Sequence, residues 1–400
     1  MWNRGQNRGY AKFDRGILRT LDIYRVETKQ NKQENNHIHL PKLLRHIDNP
    51  MATLFTLVPG FEPIDPFLMV GFHSDVFPAR NSLDQTPGFP QHPHYGFETV
   101  TVMGNGNTVT DHADSMGGSG RYGDGDVQWM CAGRGISHSE MIGLRNADTQ
   151  NVGEVFQLWL NLPAKSKKCE PHTTMMWAED IPEVRSEGGA TVRHIAGPDA
   201  LRPPPNSWAA DDSNHVRIQR ITLEPGATYT LERMAATTAL NLYPFRFAES
   251  AQLRVAAAAA DDGAIKQTLL SLTDGKVTVK VTDPVTLENT GSSGSVEVLL
   301  LEANPIGEPV AQQGPFVAAS KDELEEVFLA YQQGKLVDQW PWDSQGPCHG
   351  SSKRFYDTPA SREEKGDEVI DIPSAGPPGY MPSMGIVKPH GVDAHQSRVF

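Results

Sequence analysis

The segment HPHYGFETVTV sets His92 and His94 one residue apart and Glu98 four residues after the second histidine, in a run rich in threonine and valine. Side chains alternate along a strand, so on unbroken backbone His92, His94, Glu98, Val100 and Val102 share a face that only Gly96 interrupts. Two imidazoles at that spacing can serve one ion. A second segment, DGDVQWMCAGRGISHSEM, ends in His138-Ser139-Glu140 and repeats the spacing with a carboxylate. Three imidazoles and one carboxylate from two strands suit a divalent ion in mixed nitrogen and oxygen coordination, with positions left open if the ion is six-coordinate. That donor set favours iron(II), although three protein ligands plus water would also suit zinc. Parity alone lets either Glu98 or Glu140 be the ligand, the other then orienting a histidine by accepting its outer N–H.

The remaining chemical side chains read more plainly. His37 and His39 lie in the polar NNHIHL and are expected on an exposed loop. His112 and Asp114 in TDHADS are expected to shape a turn. Gln128 and Trp129 are expected to pack beneath the cavity, and Gly133-Arg134-Gly135 to form a turn. Cys131, with no neighbouring Cys or Lys in sequence, is expected to be a small core residue rather than a redox switch.

The elements that must carry these residues are strands. From about residue 50 the chain breaks into short apolar segments punctuated by Gly, Pro, Asn and Asp, as in an all-β domain. FQLWLNLP puts Phe156, Leu158, Leu160 and Leu162 on one face and Gln157, Trp159 and Asn161 on the other, which predicts a half-buried strand. After the proline-rich RPPPNSW a second set begins with VRIQRITL and continues through KVTVKVTD and SVEVLLLEA. One helix is predicted near 320–334. Ser320 and Glu323 form a capping pattern, Leu324, Val327, Phe328 and Tyr331 make an apolar stripe, and Gly334 supplies the stop.

With 36 Lys+Arg against 49 Asp+Glu the net charge is −13, which gives no electrostatic footprint for nucleic-acid backbone or an anionic membrane. No apolar run approaches the ~18 residues of a membrane span. Three widely spaced cysteines, Cys131, Cys169 and Cys348, fit reduced thiols better than a disulfide framework. The expected compartment is cytosol, nucleus or both. The basic N-terminal segment offers weak support for organellar targeting, against which stand Asp14, Asp22, Glu27 and Glu34.

HPHYGFETVTV, HADSMGGSG, GDVQWMCAGRGISHSEM and LWLNLPAKSKKCEP together resemble the pirin family of bicupins. The resemblance extends to PIDPFLMVGFHSD upstream and GEPVAQQGPFV downstream, spanning roughly 62–335. It implies an all-β protein of two tandem cupin barrels with a C-terminal helix and flexible terminal extensions. The corresponding divisions are 1–49 as an extension, 50–175 as a metal-binding cupin, 176–319 as a cupin without metal, 320–340 as the helix and 341–400 as a disordered tail. It also implies one Fe(II) held by His92, His94, His138 and Glu140, with Glu98 supporting a histidine. Two neighbouring positions depart from many relatives, which have Arg at Tyr95 and Thr at Cys131.

Some members of the family are associated with quercetin 2,3-dioxygenase activity and others with transcriptional co-regulation. The first implies a flavonol substrate and O2, with Glu140 accepting the substrate's 3-hydroxyl proton. The second implies a transcription factor or signalling partner and no turnover. Between His215 and His349 there is no histidine, so the second barrel cannot repeat the HxH site.

Overall fold

The computed structural model describes residues 21–25, 56–57, 64–82, 87–248, 250–257, 267–271, 277–281, 284–349 and 354–358. The HIH pair at 37–39 and the stretch 359–400 lie outside the described residues.

Two barrels are built from antiparallel strands, as the resemblance implies. In the first, a six-stranded sheet runs in the order His172–Met176, Val127–Cys131, Phe97–Met103, Asn151–Asn161, Phe67–Phe77, Thr56–Leu57. It faces a five-stranded sheet ordered Phe355–Asp357, Ser119–Gly123, Thr108–Asp114, Ile136–Leu144, Gly88–His94. The second barrel pairs a seven-stranded sheet, containing Arg217–Leu223, Val296–Ala303 and Ala239–Phe247, with a four-stranded one. Among the described residues no helix is long and apolar enough to cross a membrane.

What fills each barrel differs. The second is lined, among the described residues, by Ile221, Leu223, Leu242, Leu253, Val255, Leu287, Val298 and Leu300, an apolar interior. The first is filled by Thr, Gln, His, Asp and Glu side chains. Its largest apolar cluster lies on the outer face of the six-stranded sheet instead. There Phe72, Val100, Trp129, Phe156, Leu158 and Leu160 form one cluster with Ile195, Ile218, Tyr243, Leu299 and Leu301 of the second barrel. The two barrels therefore share a core. FQLWLNLP alternates as its period predicts, but the strand is not half-buried: Phe156, Leu158 and Leu160 enter the shared core, while Gln157 and Trp159 enter the first barrel.

Short described segments toward both ends pair with the barrels. Leu21–Arg25, expected within a disordered extension, pairs antiparallel with Val277–Val281 of the second barrel. After Ala303 the chain returns to the first barrel before residue 319. A hairpin, Ala311–Gln313 with Phe316–Ala318, bridges Tyr95 to Phe316. The helix, Lys321–Gln332, is capped by Ser320, whose hydroxyl accepts from the Glu323 N–H at 3.1 Å. Leu324 and Val327 pack with Tyr95, Phe316 and Leu336, and Tyr95 donates to Glu323 at 3.0 Å.

Residues 341–349 and 354–358, placed by the sequence in a disordered tail, form a strap over the five-stranded sheet. Gln91 N–H donates to Gln345 O at 2.6 Å, and the Trp342 indole N–H donates to Asp114 O at 2.8 Å. His349 Nε2 donates to His112 O at 2.8 Å, and Phe355–Asp357 adds a strand beside Ser119–Gly123. The physical reason is the sheet edge: a Gly-, Pro- and Ser-rich segment has no core of its own to form, yet its backbone satisfies edge groups that would otherwise stay unpaired.

Candidate metal centre

Register brings the two histidine motifs together. The HPH strand (Gly88–His94) pairs antiparallel with the HSE strand (Ile136–Leu144) so that His92 lies opposite His138. Directly opposed residues share a face, so the imidazoles converge in the barrel. Ring centroids are 4.4 Å apart for His92 and His138, and 4.9 Å apart for both other pairs. One ligand nitrogen from each lies within 4.8 Å of the others, the one cluster of this kind among the described residues.

His94 Nε2 and His138 Nε2 are 3.0 Å apart. Two donors about 2.1 Å from a shared ion and at right angles to it stand about 3.0 Å apart, so the spacing fits metal ligation. His92 Nδ1 lies 2.8 Å from the Pro90 carbonyl, which fixes Nδ1–H as the donor and leaves Nε2 as the lone-pair nitrogen. Burial holds the imidazoles neutral. His92 is lowered to about 4, chiefly by desolvation and then by His112 against a raising hydrogen bond to Pro90, and His94 and His138 are held well below the usual range, chiefly by desolvation and then by neighbouring imidazoles. Neutral imidazole is the form that ligates.

Glu140 projects from the HSE strand beside the histidines, its Oε2 3.8 Å from His138 Nε2. Gln157 donates to both carboxylate oxygens, at 3.5 and 3.3 Å. The Thr101 hydroxyl lies 3.3 Å from Glu140 Oε1 and 2.6 Å from Gln157 Oε1. Burial pushes the carboxyl up, and the His112 imidazole, Thr101 and Gln157 pull it partly back. The donor set is therefore three neutral imidazoles and one adjacent carboxylate, which suits a divalent transition metal.

Several residues at this site escape sequence reasoning. His112 is not in a turn but in strand Thr108–Asp114, opposite Glu140, with its ring 5.6 Å from His138. Its Nε2 lies 3.2 Å from Asp114 Oδ2, both side chains fully buried. Asp114 does shape the following turn, accepting the N–H groups of Met116 and Gly118. Trp159 packs edge-on against His94 at 5.6 Å. The period-2 pattern marks Gln157 and Trp159 as sharing a face, but nothing local says that this face lines a site.

Glu98 does not support a histidine, contrary to the sequence expectation. Gly96 has φ +81°, and a Cβ there would collide with the Val317 carbonyl, so the chain turns a corner between His94 and Phe97. The corner ends strand parity, and the two residues enter different sheets. Glu98 lies on the shared-core face with Val100 and Val102, where its Oε2 accepts from the Ser207 hydroxyl at 2.5 Å.

Burial raises the Glu98 carboxyl to about 8 from its ordinary 4.5. Folding therefore favours the protonated acid. Its contribution is full below about pH 4.5 and is lost as pH rises through about 8, on the order of a few kcal/mol. The Glu98→Gln variant is expected to lack that slope in urea-unfolding midpoints and to retain metal as the wild type does. Equal slopes, or lost metal, would contradict this placement.

The Pirin family profile matches residues 50–160, and that of the Pirin C-terminal cupin domain matches residues 220–337. A pirin-like protein of Caulobacter vibrioides is 33% identical over 298 residues, covering 74% of this chain and 92% of that one. The chain belongs to the pirin family. A Pseudomonas aeruginosa protein that carries quercetin 2,3-dioxygenase as a provisional name is 33% identical to this pirin over 295 residues, covering 70% of this chain and 89% of its own. The crystal structure of a quercetin 2,3-dioxygenase from Acinetobacter baumannii superposes with a TM-score of 0.52 at 29% identity, covering 68% of this chain and 86% of that one.

Proposed function

We propose that the protein is an iron(II)-dependent dioxygenase that opens the ring of a flavonol, in the manner of quercetin 2,3-dioxygenase. The observation that carries the reading is the convergence of three neutral imidazoles on a buried carboxylate, inside the one barrel whose interior is polar. Similarity to proteins bearing that name supports it. Bound iron(II), held by His92, His94, His138 and Glu140, would supply a Lewis acid and an electron relay between flavonol and dioxygen.

The protein's own residues prepare the substrate. Glu140 accepts the 3-hydroxyl proton, because its carboxylate stands beside the imidazoles where the substrate oxygen would meet the metal. Gln157 and Thr101 aim it by holding its oxygens. The aromatic wall of Phe97 and Trp159, ring centroids 4.4 Å apart, fixes His94 and excludes water from that side. His92 is the part-exposed member of the triad, so the open side of the site lies along the HPH strand.

Anaerobically iron-loaded protein mixed with quercetin and then with oxygen is expected to consume O2 and release carbon monoxide in equal amounts. Loaded protein that does neither removes the reading. Glu140→Gln keeps the size but loses the charge and the proton acceptor, and is expected to weaken iron strongly and abolish turnover. Gln157→Leu leaves the carboxylate in place but unaimed, and is expected to cost about 10- to 100-fold in activity, as lost partners of a metal ligand do.

A further inference from the structure

Cys131 and Cys169 are 38 residues apart in sequence, yet their sulfurs lie 3.5 Å apart in the fold. Cys131 ends strand Val127–Cys131 and is fully buried, whereas Cys169 lies in the loop after strand Asn151–Asn161 and is half-exposed. Both backbones are pinned. Arg134 N–H donates to the Cys169 carbonyl at 2.8 Å, and Cys169 N–H donates to Ser166 O at 3.0 Å. Gly133, at φ +47°, makes the close approach, since a Cβ there would collide with the Cys169 carbonyl. The sulfurs stand about 1.5 Å beyond the ~2.05 Å of a disulfide bond.

We infer that Cys131 and Cys169 are a peroxide-responsive dithiol that closes to a reversible disulfide at the end of strand Val127–Cys131. The contact itself distinguishes the two thiols. The contact with Cys131 holds Cys169 below its ordinary value, and the same contact together with burial pushes Cys131 up. Cys169 is therefore the attacking thiolate, being also the accessible one.

Its sulfur attacks one oxygen of hydrogen peroxide, the O–O bond breaks, and the departing oxygen leaves as water after taking up a proton, giving a sulfenic acid. The Cys131 sulfur then attacks the sulfenic sulfur, the S–O bond breaks, and the hydroxyl leaves as a second water carrying the Cys131 proton. In sum, two thiols and one peroxide become one disulfide and two waters. The bridge would tie the turn that leads to His138 to the loop whose Lys167 donates to Gly96 O at 2.9 Å, two residues beyond His94. Cys348, whose thiol donates to the Gly346 carbonyl at 3.7 Å, is the third thiol and serves as an internal reference.

The test is a peptide map of the full chain after graded hydrogen peroxide, followed by alkylation under denaturing conditions. The expected result is a mass loss of two hydrogens, a peptide pair joining Cys131 to Cys169, a Cys348 that still alkylates, and reversal by dithiothreitol. Cys131→Ser is expected to leave a sulfenic acid on Cys169 that dimedone captures. Cys169→Ser is expected to abolish oxidation of Cys131 at the same dose. The inference is overturned if wild-type Cys131 and Cys169 both remain alkylatable at doses that oxidise Cys348, if the bridge joins Cys348, or if Cys131 oxidises equally without Cys169. The wild-type map decides the matter even if a variant fails to fold.

Discussion

Replacing His92 and His94 together by alanine is expected to remove metal binding from the whole chain. Each supplies one nitrogen to the single three-histidine cluster found among the described residues, and losing two of three leaves His138 with one carboxylate beside it. The second barrel offers no substitute, because its interior is apolar and no histidine lies between His215 and His349. The fold should survive the change. A domain with an extensive core does not depend on one ion as a small zinc finger does, and the only hydrogen bond given up outside the cluster is that of His92 Nδ1 to the Pro90 carbonyl. Circular dichroism should match the wild type while dialysed protein carries no stoichiometric metal. Metal retained at one equivalent would place the site elsewhere.

Phe156→Ala is expected to have the largest effect on stability. Phe156 is 1% exposed and stacks on Phe72 at 4.5 Å within the first barrel. It also meets Phe245 of the second barrel edge-on at 4.7 Å. Truncating a buried phenylalanine costs about 3–5 kcal/mol through lost transfer energy and the cavity left behind. Here the cavity opens where the barrels join, so urea unfolding should shift for probes in both. A loss below about 1 kcal/mol, or a shift confined to one barrel, would show that the two do not share a core.

How much of this was legible depends on the range over which each feature is encoded. His92, His94, His138 and Glu140 stand out because spacing of two on a strand is a local property that survives folding. The opposition of His92 to His138 is not local, since it is set by pairing between residues 46 positions apart. Thr101, His112 and Gln157 carry no ligand-like spacing and become part of the site only when their strands close the barrel. Glu98 was misplaced for a definite reason: the parity rule assumes continuous strand, and Gly96 breaks it with a left-handed corner. The Gly-, Pro- and Ser-rich end looked unable to hold structure, and composition cannot show that Gln345, His349 and Phe355 have sheet-edge and carbonyl partners waiting. Cys131 looked alone because its partner is 38 residues away.

The same contrast separates the barrels. Alternation in VRIQRITL and SVEVLLLEA identified strands of the second barrel, and the absence of histidine there agrees with its apolar interior. In the first barrel the alternation was equally visible, but which face was interior was not. A shared apolar core on the outside of a sheet inverts the usual assignment, leaving polar residues within.

X-ray absorption at the iron edge of the loaded wild-type chain tests the central claim most directly, because it reports the donor atoms themselves. The expected spectrum has three imidazole nitrogens, with the multiple-scattering signature of the rings, completed by oxygen donors and containing no sulfur. Sulfur in the coordination sphere, or fewer than two imidazoles at one equivalent of bound iron, would contradict a centre built on His92, His94 and His138.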